Sequence, residues 1–154
     1  MRLLRFLSQW LSPVRYVIPL PQLLDAFFWL HTFVFYRHIF QVLEALIRAI
    51  NSWQEVHWTL HRFGGIEWQV NGQEIGHLHG NGVQDVRLPT YEAARQAQKL
   101  GLALEHHTYP GSAWVSLCLQ SSAELPAAIA LLQQAAENFS ASRNQNTPPC
   151  VMIP

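Results

Sequence analysis

The feature that most constrains this chain is a change of hydrophobic period after Gly65. Ile66, Trp68 and Val70 alternate with Glu67 and Gln69, Asn71-Gly72 follows, and Gln73 to His79 returns. Such alternation marks a half-buried strand, and Asn-Gly between two such runs marks a two-residue type I′ hairpin. A two-residue turn fixes the register, so Val70 is expected opposite Gln73, Trp68 opposite Ile75 and Ile66 opposite His77. On that register His77 and His79 share a face with Ile66, Trp68 and Ile75, and Glu74 lies on the other face. Only a bulge at Gly76 would bring Glu74 to His77.

The segments around the hairpin read in simple periods. Residues 1 to about 63 look helical. Leu23 to Tyr36 is apolar nearly all round, whereas Arg37, Gln41, Glu44 and Arg48 form a polar stripe at three- and four-residue spacing. Ser52 with Glu55 is a capping-box pattern that predicts a short helix ending near Phe63 and Gly64. Downstream, a strand is expected over Gln84 to Leu88, and Thr90 caps a helix from Tyr91 to Leu100 with Gly101 beyond it. Leu104 to Tyr109 and Ala113 to Gln120 read as a second hairpin around Pro110-Gly111, followed by a helix over Leu125 to Phe139. These elements predict an α+β fold: about five antiparallel strands with helices packed on one face, preceded by an apolar helical N-terminal region. The expected division is an apolar region over 1–51, an α+β domain over 52–139 and a flexible tail over 140–154.

Charge narrows the partners. Ten Lys plus Arg against ten Asp plus Glu give no basic footprint, so nucleic acid is not expected. Five arginines in residues 1–50 (Arg2, Arg5, Arg15, Arg37, Arg48) face only Asp25 and Glu44, so the apolar region carries a positive excess. The 21 residues between Arg15 and Arg37 approach spanning length, but Asp25, Pro19 and Pro21 interrupt them. A carboxylate there costs about 2.5–3.5 kcal/mol on insertion scales. Two readings stay open: contact with a membrane surface through residues 1–50, or a core helix or homo-oligomer contact. Cys118 and Cys150 offer neither a disulfide framework nor zinc spacing and are read as free thiols. A cleaved secretory signal is not expected, since Arg5 interrupts the apolar run and no small-residue cleavage site follows.

The chemistry concentrates in histidines. His77 and His79, two apart on a strand, point to one side, where imidazoles can act on a proton, a ligand or a metal. In EHHTYPGSAW, His106 and His107 point to opposite faces, and His106 shares its face with Leu104. Three readings stay open for the set: hydrogen-bonded structural histidines, ligand or acid-base work, and a three-imidazole metal site. His31, His38, His57 and His61 read as satisfied or surface histidines on helices. Trp114 lies on the face opposite Val115, Leu117 and Leu119 and is a candidate pocket wall.

HRFGG at 61–65, EIGHLHG at 74–80, DVRLP at 85–89, EHH at 105–107 and GSAWVSL at 111–117 occur in an order that resembles the luciferase-domain family, over roughly residues 55–139. That family joins fungal luciferases to small bacterial proteins. The resemblance implies an oxygenase that oxidises a hydroxylated pyrone or related aromatic compound with molecular oxygen and no added cofactor, through a peroxide that loses carbon dioxide. It further implies His77, His79 and His106 as catalytic residues, and Trp68, Glu74 and Trp114 beside the substrate, with no metal. The fungal enzymes also carry an apolar N-terminal segment, so a membrane-associated protein on the cytoplasmic side is expected. This chain departs from them in lacking a long segment before the domain and in a shorter loop before Trp114. The competing reading is a non-catalytic ligand-binding or interaction module.

Overall fold

The computed structural model describes residues 20–145. The expectations for the first residues and for the tail beyond 145 lie outside it. Helix α1 (Leu20–Phe35) begins with Pro21 in its first turn, where a missing N–H costs nothing. Tyr36 leaves helical geometry, and α2 (Arg37–Asn51) follows, burying Val42, Leu43, Leu46 and Ile50. Among the described residues no helix is long and apolar enough to cross a membrane.

The sheet has six antiparallel strands, one more than the sequence suggested. They are β1 (Val56–Leu60), β2 (Ile66–Val70), β3 (Gln73–Leu78), β4 (Val83–Arg87), β5 (Leu104–Glu105) and β6 (Trp114–Cys118), in the order β1-β2-β3-β4-β6-β5. Helix α3 (Tyr91–Lys99) links β4 to β5, and α4 (Leu125–Gln145) continues past the expected end at Phe139. Thr90 caps α3 as expected, its side chain accepting from Ala93 N–H at 3.1 Å.

The extra strand corrects the reading of Ser52 to Phe63 as a helix. Ser52 closes α2, its hydroxyl donating to the Ala49 carbonyl at 2.7 Å. The following VHWTL is rich in β-branched and aromatic residues and pairs along β2, with Trp58 opposite Trp68. Pairing with a strand outweighs a local capping pattern worth about 1 kcal/mol.

The hairpin turn is as expected, with φ of 54° at Asn71 and 74° at Gly72. The register beyond it is not. Val70 faces Gln73 and Gln69 faces Glu74, but Trp68 faces Gly76, Glu67 faces His77 and Ile66 faces Leu78. Ile75 is the extra residue of a β-bulge, and the slip of one residue exchanges the faces of everything beyond it. Gly76 permits it: a Cβ there would lie 2.5 Å from the Asp85 carbonyl oxygen and 2.9 Å from Leu132 of α4. Gly76 therefore faces the helices, Ile75 and Leu78 are fully buried, and Glu74 and His77 emerge on the other face.

That inversion organises the molecule. Helices α2 and α4 cover one face, where Trp68, Val86, Val115 and Leu132 form the core. A polar row crosses the opposite face, His77 facing Asp85 and Asp85 facing Ser116.

Candidate active site

The polar row floors a cavity of about 530 Å³. Its walls come from the 61–63 segment, the 106–109 segment and Trp114. Trp114 stands with its ring centre 5.8 Å from those of both His77 and His106. Five imidazoles line the space: His61, His77, His79, His106 and His107.

His77 is held at both nitrogens. Nδ1–H donates to Glu74 Oε1 at 2.6 Å, and Nε2–H donates to Asp85 Oδ2 at 3.1 Å. Burial alone would lower its pKa, but the bonds to Asp85 and Glu74 outweigh burial and raise it to about 9. His77 is thus an imidazolium at neutral pH, with no free lone pair. Burial opposes ionisation of Asp85 as well, yet bonds from His106, His77 and Ser116 hold its carboxyl well below the usual carboxylate range. Glu74 is likewise lowered against its burial, chiefly by the His77 hydrogen bond.

His61 is the opposite case. Its ring stacks on His77 with centres 4.0 Å apart and planes 10° apart. Burial, and next the charge on His77, push it down to about 4. Two parallel imidazoles in one pocket are therefore driven to opposite charge states.

The remaining two are set by hydrogen bonds. Nδ1 of His106 accepts from the N–H groups of Thr108 and Tyr109, both at 3.1 Å, so its proton sits on Nε2, which faces Asp85 Oδ2 at 3.5 Å. Nδ1 of His79 meets Asp25 Oδ1 at 3.1 Å; a carboxylate only accepts, so Nδ1 carries a proton, and in the neutral ring the lone pair is on Nε2. His79 is partly exposed and lines the cavity, and the Asp25–His79 pair is the arrangement that holds an imidazole ready as a base.

The structure thus gathers His77, His79, His106, Glu74 and Trp114 as the sequence suggested, with two corrections. Glu74 sits beside His77 because of the bulge. Trp68 is not at the pocket: the same slip leaves it in the core, fully buried, donating from Nε1 to Asn51 Oδ1 at 3.0 Å. Leu104, expected to be core on the same face as His106, is exposed, whereas His106 is buried. Sequence reasoning missed His61, Asp25 and Asp85 as members of the site.

Residues 72–135 match the family model of the Luciferase domain. That segment is similar to the Luciferase domain. The match takes in Glu74, His77, His79, Asp85, His106 and Trp114 and stops short of His61 and Asp25. No curated protein and no solved structure gave a match. Beyond the family, the donor set bears on metal binding: one nitrogen each of His61, His77 and His79 lies within 4.8 Å of the others. His77, however, already gives both nitrogens to carboxylates, so an ion would have to displace Glu74 or Asp85 and a proton.

Proposed function

We propose that this luciferase-like domain is an oxygenase that uses molecular oxygen on a small hydroxylated pyrone or aromatic compound bound in the cavity. The observation that carries the reading is the division of labour among the imidazoles. Environments that drive neighbouring titratable groups apart are how a site runs acid and base chemistry at one pH. In this site His77 is charged and His61 neutral, and their rings touch.

The base is His79. His77 has no lone pair to offer, His106 spends its Nε2–H on Asp85, and burial lowers His61 and His107 and weakens them as bases, which leaves His79 Nε2 to take the proton of the substrate hydroxyl. The resulting enolate is electron-rich enough to be attacked by O2, and the cofactor-free chemistry that the family resemblance implies needs no other activation. Arg62 on the rim supplies the cation for the anion, and Phe63, Tyr109 and Trp114 shield it from water. The volume suits a compound of one or two rings.

The test is oxygen consumption with a panel of hydroxylated pyrones and phenols, native protein against His79→Gln. The native protein is expected to consume oxygen, and the variant to lose about 10²-fold or more in kcat, the contribution of a general base. Equal rates would exclude His79, and no consumption with any compound by the native protein would overturn the oxygenase reading.

A second reading concerns helix α1. Its buried residues are its polar ones, Asp25 and Thr32, while Leu23 (61% exposed), Phe27 (58%) and Leu30 (60%) face out. An outward apolar stripe on a helix marks an interaction surface, and the arginine excess of residues 1–50 favours an anionic membrane surface as its partner.

A further inference from the structure

Asp25 looks misplaced in the sequence, a lone carboxylate within an apolar helix. In the fold it is 4% exposed and reaches across to the end of β3. Its Oδ1 accepts from His79 Nδ1 at 3.1 Å and from Gly80 N–H at 3.1 Å. Two turns further along α1, the Thr32 hydroxyl donates to the Gly80 carbonyl at 2.7 Å. The helix thus grips Gly80 at both its N–H and its carbonyl.

The close approach is built into the chain. A Cβ on Gly80 would lie 2.5 Å from the backbone nitrogen of Trp29, and one on Gly64 would lie 2.6 Å from Asp25 Cβ. Gln22 adds a bond from its side-chain amide to the Arg62 carbonyl at 3.1 Å. The helix is therefore seated on two segments, 61–65 and 79–81, that adjoin the cavity.

We infer that Asp25 is the positioning residue for His79, and that α1 completes the active site from outside the region that matches the luciferase-domain family. Three neighbours decide what His79 can do. Asp25 fixes its Nδ1, the stacked pair of His77 and His61 stands across from its ring, with centres 5.1 and 6.1 Å away, and Nε2 is left for the substrate. Without Asp25 nothing among the described contacts holds the proton on Nδ1, and a neutral imidazole in water favours Nε2–H, the tautomer that cannot accept from a hydroxyl at that atom. The role of Asp25 in turnover rests on the oxygenase reading; its control of the His79 tautomer does not.

The experiment uses the full chain and two variants. Asp25→Ala removes both accepted bonds. Asp25→Asn keeps an oxygen in place for Gly80 N–H and His79 Nδ1–H. Long-range nitrogen–proton spectra of the imidazoles report the tautomer directly, and oxygen consumption with a hydroxylated pyrone reports turnover. Native and Asp25→Asn proteins are expected to show His79 as Nδ1–H and Asp25→Ala as Nε2–H, with kcat falling about 100-fold in Asp25→Ala at little change in KM and recovering only in part in Asp25→Asn, which keeps the accepted bonds but not the charge. A His79 that keeps the Nδ1–H form in folded Asp25→Ala would overturn the inference, as would native kcat in that variant. If the native chain turns over no pyrone, the oxygenase reading fails and the spectra still decide on Asp25.

Discussion

The stacked pair of His61 and His77 makes stability depend on pH in a way that can be worked out from the structure. His77 is raised from 6.5 to about 9, so the folded state holds a proton that the unfolded chain releases. Its contribution is full below pH 6.5 and is lost as pH rises through 9. His61 is lowered from 6.5 to about 4, so the unfolded chain takes up a proton that the folded state refuses. Stability from this group is intact above pH 6.5 and drains as pH falls toward 4. Each imidazole moves by an amount worth about 3 kcal/mol, at about 1.4 kcal/mol per pH unit. The expected profile is a maximum near pH 6.5 with a loss of about 3 kcal/mol on either side, a large share of the ~5–15 kcal/mol that holds a domain together. Glu74 and Asp85, both held below the usual carboxylate range, deepen the acid arm once pH falls into that range.

Urea unfolding followed by tryptophan fluorescence at pH values from 4 to 9 measures this directly. The alkaline arm is the more diagnostic, because His77 is the one group among those with a resolved shift whose pKa is raised into that range. His77→Gln is expected to abolish that arm and to shrink the acid one, since the charge on His77 helps lower His61 and its hydrogen bond lowers Glu74. Asp85→Asn, which removes one of the two carboxylates, is expected to flatten it. A native profile that is level between pH 6.5 and 9 would refute a charged His77, and with it the division of labour assigned to the pocket.

Gly76→Ala is expected to destabilise the chain by about 1–3 kcal/mol in the same assay, since its Cβ meets the Asp85 backbone at 2.5 Å and strands β3 and β4 must part. On the outer face of α1, Leu23→Asp with Leu30→Asp is expected to leave unfolding nearly unchanged but to abolish flotation with vesicles of anionic lipid; flotation at the native level would remove the membrane reading.

How much of this was legible in the sequence depends on the range of the interaction concerned. The Asn71-Gly72 turn and the Thr90 cap are set by residues in contact along the chain, and both were read correctly. The strand at Val56–Leu60 was missed because Ser52 and Glu55 make a good local helix start, and only the neighbour β2 makes a strand the better choice. The bulge at Ile75 was visible only as a condition attached to Gly76, because whether a glycine is an insertion depends on what packs against it, here Leu132 from the other end of the domain. That single residue misplaced Trp68 into the pocket and Glu74 out of it. His61 was missed because the segment around it read as helix, whereas a tight turn closed by His61 and Gly65 aims it at His77. Asp25 was read as a defect in an apolar span when its signal was that a buried carboxylate must have a partner.

Helix α1 ties these points together. Its inner face packs Trp29 against the core and makes hydrogen bonds to His79, to Gly80 and to the Arg62 carbonyl. A helix whose polar residues are buried and whose leucines are exposed gains little from docking by the hydrophobic effect, which for each exposed leucine forgoes about 1.5–3 kcal/mol. The Asp25 contacts that orient the base are part of what keeps it seated. If covering the outer stripe shifts this helix, the shift is expected to reach His79 through Asp25. A spectrum of His79 recorded with and without anionic lipid vesicles tests this, and an unchanged tautomer would refute the coupling.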